Sequence, residues 1–279
     1  MPQAPSPQAD ASAPALAQAM ILAAGRGQRM RPLTDHTPKP LLMVRGQPLL
    51  AWHLAAMASA GIDCVLINTG WLGEQIPARL GSHFVPANAG HPGAPQPAPA
   101  AVQLRYSRED LDFGGGIETA GGIARALPQL QKVFWLIAGD VYAPQFRFDP
   151  QARARFAASD ALAHLWLVPN PPHHRRGDFL LERGLARPLP EPANASDAQP
   201  GPPHCRHYTY STIALLKQAL FAPPWCELPR GNPEGQAAAL GPLLQRAARA
   251  GRVSASLYHG DWTDVGTPQR LAALNQPPA

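Results

Sequence analysis

The sequence predicts an α/β fold in which a mostly parallel central sheet carries helices on both faces. Three observations predict it. Short apolar runs alternate with amphipathic stretches along the chain, the pattern of parallel strands joined by helical crossovers. The clearest run, VFWLIAGD at 133–140, stays apolar until it breaks at Gly139 and Asp140. A glycine-bearing cationic loop directly follows the first run, where doubly wound sheets gather ligands outside the carboxyl ends of their strands.

Taken in order, AMILAA (19–24) is a short buried-strand candidate. PLLAWHLAAMASAG (48–61) places Leu50, Leu54 and Met57 on one helical face and stops at Gly61, as an amphipathic helix does. DCVLINT (63–69) reads as a strand, 73–81 as a short helix despite Pro77, VQLRYS (102–107) as a strand and 118–130 as a helix. Beyond the 133–140 strand, the pattern predicts a strand at 161–168, a hairpin at 178–187 and a strand at 207–215. A helix at 235–250, a strand at 252–258 and a last helix at 267–275 complete it. Prolines number 34 in 279 residues, and their clusters mark a Pro/Ala-rich tail (1–18) and two surface insertions (86–101 and 188–204). The rest, 19–276, is expected to fold as one domain.

Charged residues make up 15% of the chain and the AVILMFWYC set 45%, a globular composition. No apolar run reaches the roughly 18 residues of a spanning helix, so no membrane partner is expected. The first seventeen residues lack the cationic start and apolar middle of a secretory signal. Cys64, Cys205 and Cys226 form no C-x-x-C pair, which suggests neither a disulfide framework nor a zinc site and fits a cytoplasmic location. The net charge of +5 suits nucleic acid, a membrane surface or a small anion; no basic run interleaved with aromatics supports a nucleic-acid groove.

The loop at 23–41 concentrates that charge. Gly25 and Gly27 let the backbone turn tightly and bring N–H groups against an anion, where a Cβ is expected to clash. Arg29 and Lys39 then face phosphate charge, each pair worth roughly 4 kcal/mol at ~4 Å and an effective dielectric near 20, before desolvation. Pro32, Pro38 and Pro40 stiffen the return path. Met30 stands where a dinucleotide fingerprint needs its third glycine, and no Walker motif fits, so a dinucleotide oxidoreductase is disfavoured. Asp140 and Asp264 are placed to hold a metal, although each alone is also a turn or cap aspartate. No G-x-S-x-G is present, and His173, His174 and His204 read as loop residues.

The stretch MILAAGRGQRMRPLTDHTPKPL closely resembles the signature of the sugar-1-phosphate nucleotidyltransferases, and the resemblance spans 19–275. NTGWLGEQI, ETAGGI, IAGDVY, YTYSTI and DWTDVGTPQRLAAL look most like the branch that converts N-acetylmuramate 1-phosphate to its UDP form in peptidoglycan recycling. The resemblance implies a Rossmann-like nucleotidyltransferase fold, UTP and a sugar 1-phosphate as substrates, and Mg²⁺ held by Asp140 and Asp264. By the same resemblance Arg29 and Lys39 stabilise phosphates, and Ala23, Ala24, Gly25, Gly27, Glu118, Thr119 and Gly121 surround the nucleotide. Trp71, Gly177, Tyr208 and Thr209 would contact the sugar. Ala120 and Thr212 stand where relatives favour glycine, and DFGGG is longer than expected. Another nucleotide paired with mannose or glucose 1-phosphate, or a non-catalytic nucleotide-sugar-binding regulator, are the alternatives. Oligomeric state stays open, a monomer being compatible.

Overall fold

The computed structural model describes residues 15–86, 100–190 and 207–276. In chain order its elements begin with β1 (Ala17–Ala23), the ribbon β2 (Met43–Val44) and β3 (Gln47–Pro48), α1 (Leu49–Ser59), β4 (Cys64–Thr69), α2 (Gln75–Leu80) and β5 (His83–Phe84). There follow β6 (Val102–Arg108), α3 (Glu109–Phe113), α4 (Glu118–Ala126), β7 (Leu130–Ala138), β8 (Val141–Tyr142), α5 (Pro150–Ala158) and β9 (Ala163–Val168). The last are β10 (Phe179–Glu182), β11 (Leu185–Pro188), β12 (His207–Lys217), α6 (Leu240–Arg249), β13 (Val253–Leu257), β14 (Thr263–Asp264) and α7 (Pro268–Leu274).

Ten strands form one sheet in the order β10-β11-β13-β9-β12-β7-β1-β4-β6-β5. Its first half is parallel as expected: β1 lies between β7 and β4, and β6 follows β4. The whole is mixed, which corrects the expectation of a mostly parallel sheet. Between β9 and β12 the described chain supplies a hairpin and no helical crossover, and without a crossover a returning strand must run antiparallel. Accordingly β12 is antiparallel to both β7 and β9. It also pairs with β10, so β10, β11, β13, β9 and β12 close into a barrel-like ring beside the open parallel half.

The sheet separates two apolar layers. On one side Met20, Leu66, Phe134, Leu136, Leu165 and Leu216 pack with Ile123 of α4 and Leu243, Leu244 and Ala247 of α6. On the other, Ile21, Val65, Ile67, Trp135 and Ile137 meet Leu50, Leu54 and Met57 of α1, with Phe146, Phe148 and Trp166 around Trp135. The three α1 residues chosen by helical spacing are all fully buried, and Gly61 ends the turn at φ +74°. A third, small cluster of Met30, Leu42, Val44, Leu49, Tyr142, Val265 and Leu271 lies under the 23–41 loop. Met30, absent from the dinucleotide pattern, is therefore the plug that joins this loop to a cluster with Tyr142 of β8, Val265 just after β14 and Leu271 of α7.

Several boundaries differ from expectation. The tail ends sooner, since Ala17 already belongs to β1. Helix α4 stops at Ala126, and Pro128 lies in a 3-10 turn before β7. Helix α6 starts only at Leu240, because Asn232 engages both the N–H and the carbonyl of Gln236 at 3.0 and 2.9 Å and holds that stretch in a turn. The tail over 1–14 and the insertion segments over 87–99 and 191–206, with Cys205 and His204, lie outside the described residues. No helix among the described residues is long and apolar enough to cross a membrane.

Candidate active site

A cavity of about 1090 Å³ opens at the carboxyl ends of β1, β4 and β7. The main chain there is crowded by design of sequence. Asn68, buried in β4, accepts a hydrogen bond from Ala23 N at 2.8 Å and donates to Glu109 Oε1 at 2.7 Å. Glu109 in turn accepts from Ile117 N at 3.0 Å. One buried side-chain bridge thus ties the end of β1 to the 114–118 turn. Burial pushes the Glu109 carboxyl upward, against the lowering effect of those two hydrogen bonds.

Glycines fix the same spacing. A Cβ on Gly70 would overlap the Ala24 carbonyl, and one on Gly122 would lie 2.5 Å from Glu109 Oε1. Gly27 has φ +64°, and its Cβ would press Thr34 Cγ2 at 3.0 Å. Gly25 differs from expectation: an added Cβ there meets no protein atom within 4 Å, so it would intrude only on the cavity. Trp71 donates from its indole to Thr34 O at 2.8 Å and carries the Arg26 guanidinium 4.4 Å over its ring, bracing the loop as well as lining the cavity.

The charged groups meet at one end. Lys39 Nζ lies 2.6 Å from Asp140 Oδ2, with a lysine side chain only 10% exposed and an aspartate 39% exposed. Asp264 comes from far along the chain, yet β14 pairs with β8 so that Asp264 faces Val141 and Val265 N donates to Asp140 O at 2.8 Å. His53 of α1 supports the same corner. Its Nε2 lies 2.8 Å from the Val141 carbonyl, which can only accept, so that nitrogen carries the proton. Burial holds His53 down at about 4. Asp140 and Asp264 are the carboxylates of this corner, and His173 Nε2 lies 3.0 Å from Asp264 Oδ1; among the described residues no group of three or more His, Cys, Asp or Glu is arranged to hold a metal ion.

Of the residues expected from sequence, Ala23, Ala24, Gly25, Gly27, Arg29, Lys39, Trp71, Glu118, Thr119 and Asp140 line the cavity. Asp264 stands beside it through Gly266, which is on the wall. Gly121 does not line it. Gly121 is packed inward, where a Cβ would lie 2.6 Å from Gln236 O, and its N–H donates to Ala238 O at 3.1 Å. Gly177, Tyr208 and Thr209 likewise lie off this wall and form a cluster of their own. Gly177 turns at φ +69° against Tyr208 O, and Thr209 donates to Asn170 Oδ1 at 2.8 Å. Asp178 receives Tyr210 N at 2.8 Å.

Sequence reasoning missed Asn68, Glu109, His53, His173 and Arg270. Single asparagines and glutamates carry no motif; for Arg270, its place six residues after Asp264 in DWTDVGTPQR was the available signal. Two cavity-side strains were also not foreseen: Glu118 sits at φ +61° and Leu72 at φ +50°. Non-glycine residues in that region persist where surrounding structure enforces them, commonly at functional sites.

The model of the MobA-like NTP transferase domain matches residues 19–145. The chain is 40% identical over 260 residues to an N-acetylmuramate alpha-1-phosphate uridylyltransferase of Neisseria meningitidis, covering 91% of this chain and 95% of that one. A protein of the same name from Caulobacter vibrioides is 29% identical over 270 residues, covering 91% and 94%. Among solved structures, HddC from Yersinia pseudotuberculosis is similar at TM-score 0.62 and 15% identity, covering 93% of this chain and 98% of that one. The inositol-1-phosphate CTP transferase from T. maritima is similar at 0.59 and 14%, covering 95% and 99%. At such identities the structures speak for the fold, whereas the Neisseria relative spans nearly the whole chain. A glycine-lined cavity at the strand ends, a lysine–aspartate pair on its wall and a relative of that extent lead to one conclusion: the chain belongs to the nucleotidyltransferase superfamily, related to the enzymes that join a nucleoside triphosphate to a sugar 1-phosphate.

Proposed function

We propose that the protein is a Mg²⁺-dependent uridylyltransferase that transfers UMP from UTP to N-acetylmuramate α-1-phosphate, yielding the UDP-sugar and pyrophosphate in peptidoglycan recycling. A cytoplasmic location belongs to the same reading. An oxygen of the acceptor phosphate bonds to the α-phosphorus while the bond to the bridging oxygen of the β-phosphate breaks. One P–O bond replaces another, and pyrophosphate carries the charge away.

The reading is supported by the Lys39–Asp140 pair on the cavity wall and by the pairing of β8 with β14, which sets Asp264 opposite Val141, the residue after Asp140. Such transfers depend on positioning and charge neutralisation more than on covalent chemistry. Lys39, mostly buried, offers a fixed cation; Arg29, exposed on the cavity wall, is free to follow the phosphates. Ala23, Ala24, Gly25 and Gly27 present main chain to the nucleotide, with Glu118 and Thr119 across the cavity. The segment holding Gly177, Tyr208 and Thr209 is the acceptor side of this reading.

Mg²⁺ fits the donor set. Asp140, contacted by Lys39, and Asp264, contacted by Arg270, would each offer it hard oxygen donors, with the other positions left to phosphate oxygens and water, the usual arrangement for this ion. When bound, it supplies charge neutralisation between two polyanions. The test is pyrophosphate release by the purified protein with each of four nucleoside triphosphates against several sugar 1-phosphates. Release is expected with UTP and N-acetylmuramate 1-phosphate above every other pair, and Asp140→Asn should abolish it with an unchanged circular dichroism spectrum. Preference for another pair would overturn the substrates, and activity in the Asp140 variant would overturn the metal site.

A further inference from the structure

We propose that Arg270, braced by His173, is a positioning residue that fixes the Asp264 carboxylate and thereby sets the affinity of the site for its divalent cation. The inference rests on the reading of Asp140 and Asp264 as the metal pair. Asp264 ends a strand of two residues, too short by itself to hold a side chain against a competing solvent. Its Oδ1 accepts a hydrogen bond from Arg270 Nη1, and among the described residues its Oδ2 has no hydrogen-bond donor. Arg270 Nη1 also lies 2.7 Å from His173 Nε2. A guanidinium only donates, so His173 Nε2 accepts here and its ring proton sits on Nδ1. The same Nε2 is 3.0 Å from Asp264 Oδ1 and makes no hydrogen bond to it, its lone pair being turned to Arg270, so the one guanidinium holds carboxylate and imidazole together in one knot.

The local sequence is shaped to permit the knot. Arg270 lies in the first turn of α7, where Thr267 caps the helix and accepts from Arg270 N at 3.4 Å. From there the side chain folds back across Gly266. A Cβ at 266 would lie 2.6 Å from Arg270 Nη2 and 3.1 Å from Asp264 Oδ2, so a glycine is what lets the guanidinium reach its carboxylate. Gly266 is on the cavity wall, and the Arg270 side chain is only 20% exposed behind it. His173 arrives from the segment that carries Gly177, so the knot also joins the acceptor side to the metal side.

Carboxylates that bind metals are themselves oriented by hydrogen bonds, and loss of such a partner typically costs 10–100-fold in metal affinity or activity. The sign discriminates mechanisms. Removing a cation beside Asp264 would, by charge alone, strengthen binding of a second cation; losing the orientation weakens it. The experiment titrates Mn²⁺ into the full chain with UTP and no acceptor, reading free Mn²⁺ by electron paramagnetic resonance against a UTP-only control. Arg270→Gln should weaken Mn²⁺ binding by about 10–100-fold, Arg270→Lys should recover part of the loss, and His173→Ala should weaken it less. Unchanged or tighter binding in Arg270→Gln overturns the clamp. Should that variant not fold, Arg270→Lys decides, wild-type affinity being the overturning result. Asp264→Asn separates the two readings: if it too binds Mn²⁺ like wild type, the metal pair fails with the clamp, whereas weak binding there beside wild-type binding in Arg270→Gln removes the clamp alone.

Discussion

Lys39 and Thr212 show what single positions contribute. The Lys39 ammonium is held 2.6 Å from Asp140, while its stem packs near Gly27. Lys39→Met keeps most of the stem and removes the charge, so stability should change little while kcat falls by about 10²–10³, the usual effect of deleting one fixed electrostatic group. Initial rates at saturating substrates check this; a rate within a factor of two of wild type would refute it. Thr212, standing where relatives favour glycine, has φ +64°, at the point where the β12–β9 register shifts. A β-branched residue is strained there. Thr212→Gly should stabilise the fold by about 1 kcal/mol, the strain relieved exceeding the entropy glycine loses on folding; urea unfolding measures it. At this scale the 23–41 loop was legible because its chemistry is local: glycine, proline and cations close in sequence. Gly121 was misleading, since a glycine inside a helix can serve a packed backbone as readily as a ligand.

At the scale of elements, legibility followed periodicity. α1 and β4 emerged within a residue or two because their apolar spacing is set by burial. α5 did not emerge: Phe156 is its one buried side chain, so its sequence has no apolar stripe. Its start was nevertheless encoded, as Asp149 accepts from Gln151 N and Ala152 N before Pro150. The two-residue strands β8 and β14 had no periodicity at all, although they create the corner of the site. The Asn68 bridge between β1, β4 and the 114–118 turn is similarly invisible until the strands are side by side. Asn68→Ala would leave Ala23 N and the Glu109 carboxylate without their partner, and should cost about 2–4 kcal/mol in urea unfolding. Nucleotide affinity should fall with it, measured by calorimetry; a variant as stable as wild type would show that water replaces the amide.

For the whole molecule, pH is the informative variable. His53 and His164 are both held down at about 4 by burial, against an ordinary value of 6.5. Above pH 6.5 neither state binds the proton and stability is unaffected. As pH falls from 6.5 toward 4 the unfolded chain takes up protons that the folded chain refuses, so stability declines, and below about 4 the decline from these groups stops. For fully buried His53 the loss is on the order of 3 kcal/mol. Thermal melts across that range should show it, and His53→Gln, which can still donate to Val141 O, should flatten the curve. Fold class was readable from alternation of strands and helices, but the mixed character was not, because strand direction depends on how β12 re-enters the sheet.

The ring formed by β10, β11, β13, β9 and β12 also bears on behaviour in concentrated solution. A sheet ordinarily ends in rows of unsatisfied amides and carbonyls, templates onto which another molecule can add a strand. Here β10 at one flank folds round to pair with β12 over two residues, and the other flank ends in His83–Phe84, two residues long. Among the described residues, that closure leaves the β10 flank with fewer free backbone groups than an open edge would present to a neighbour.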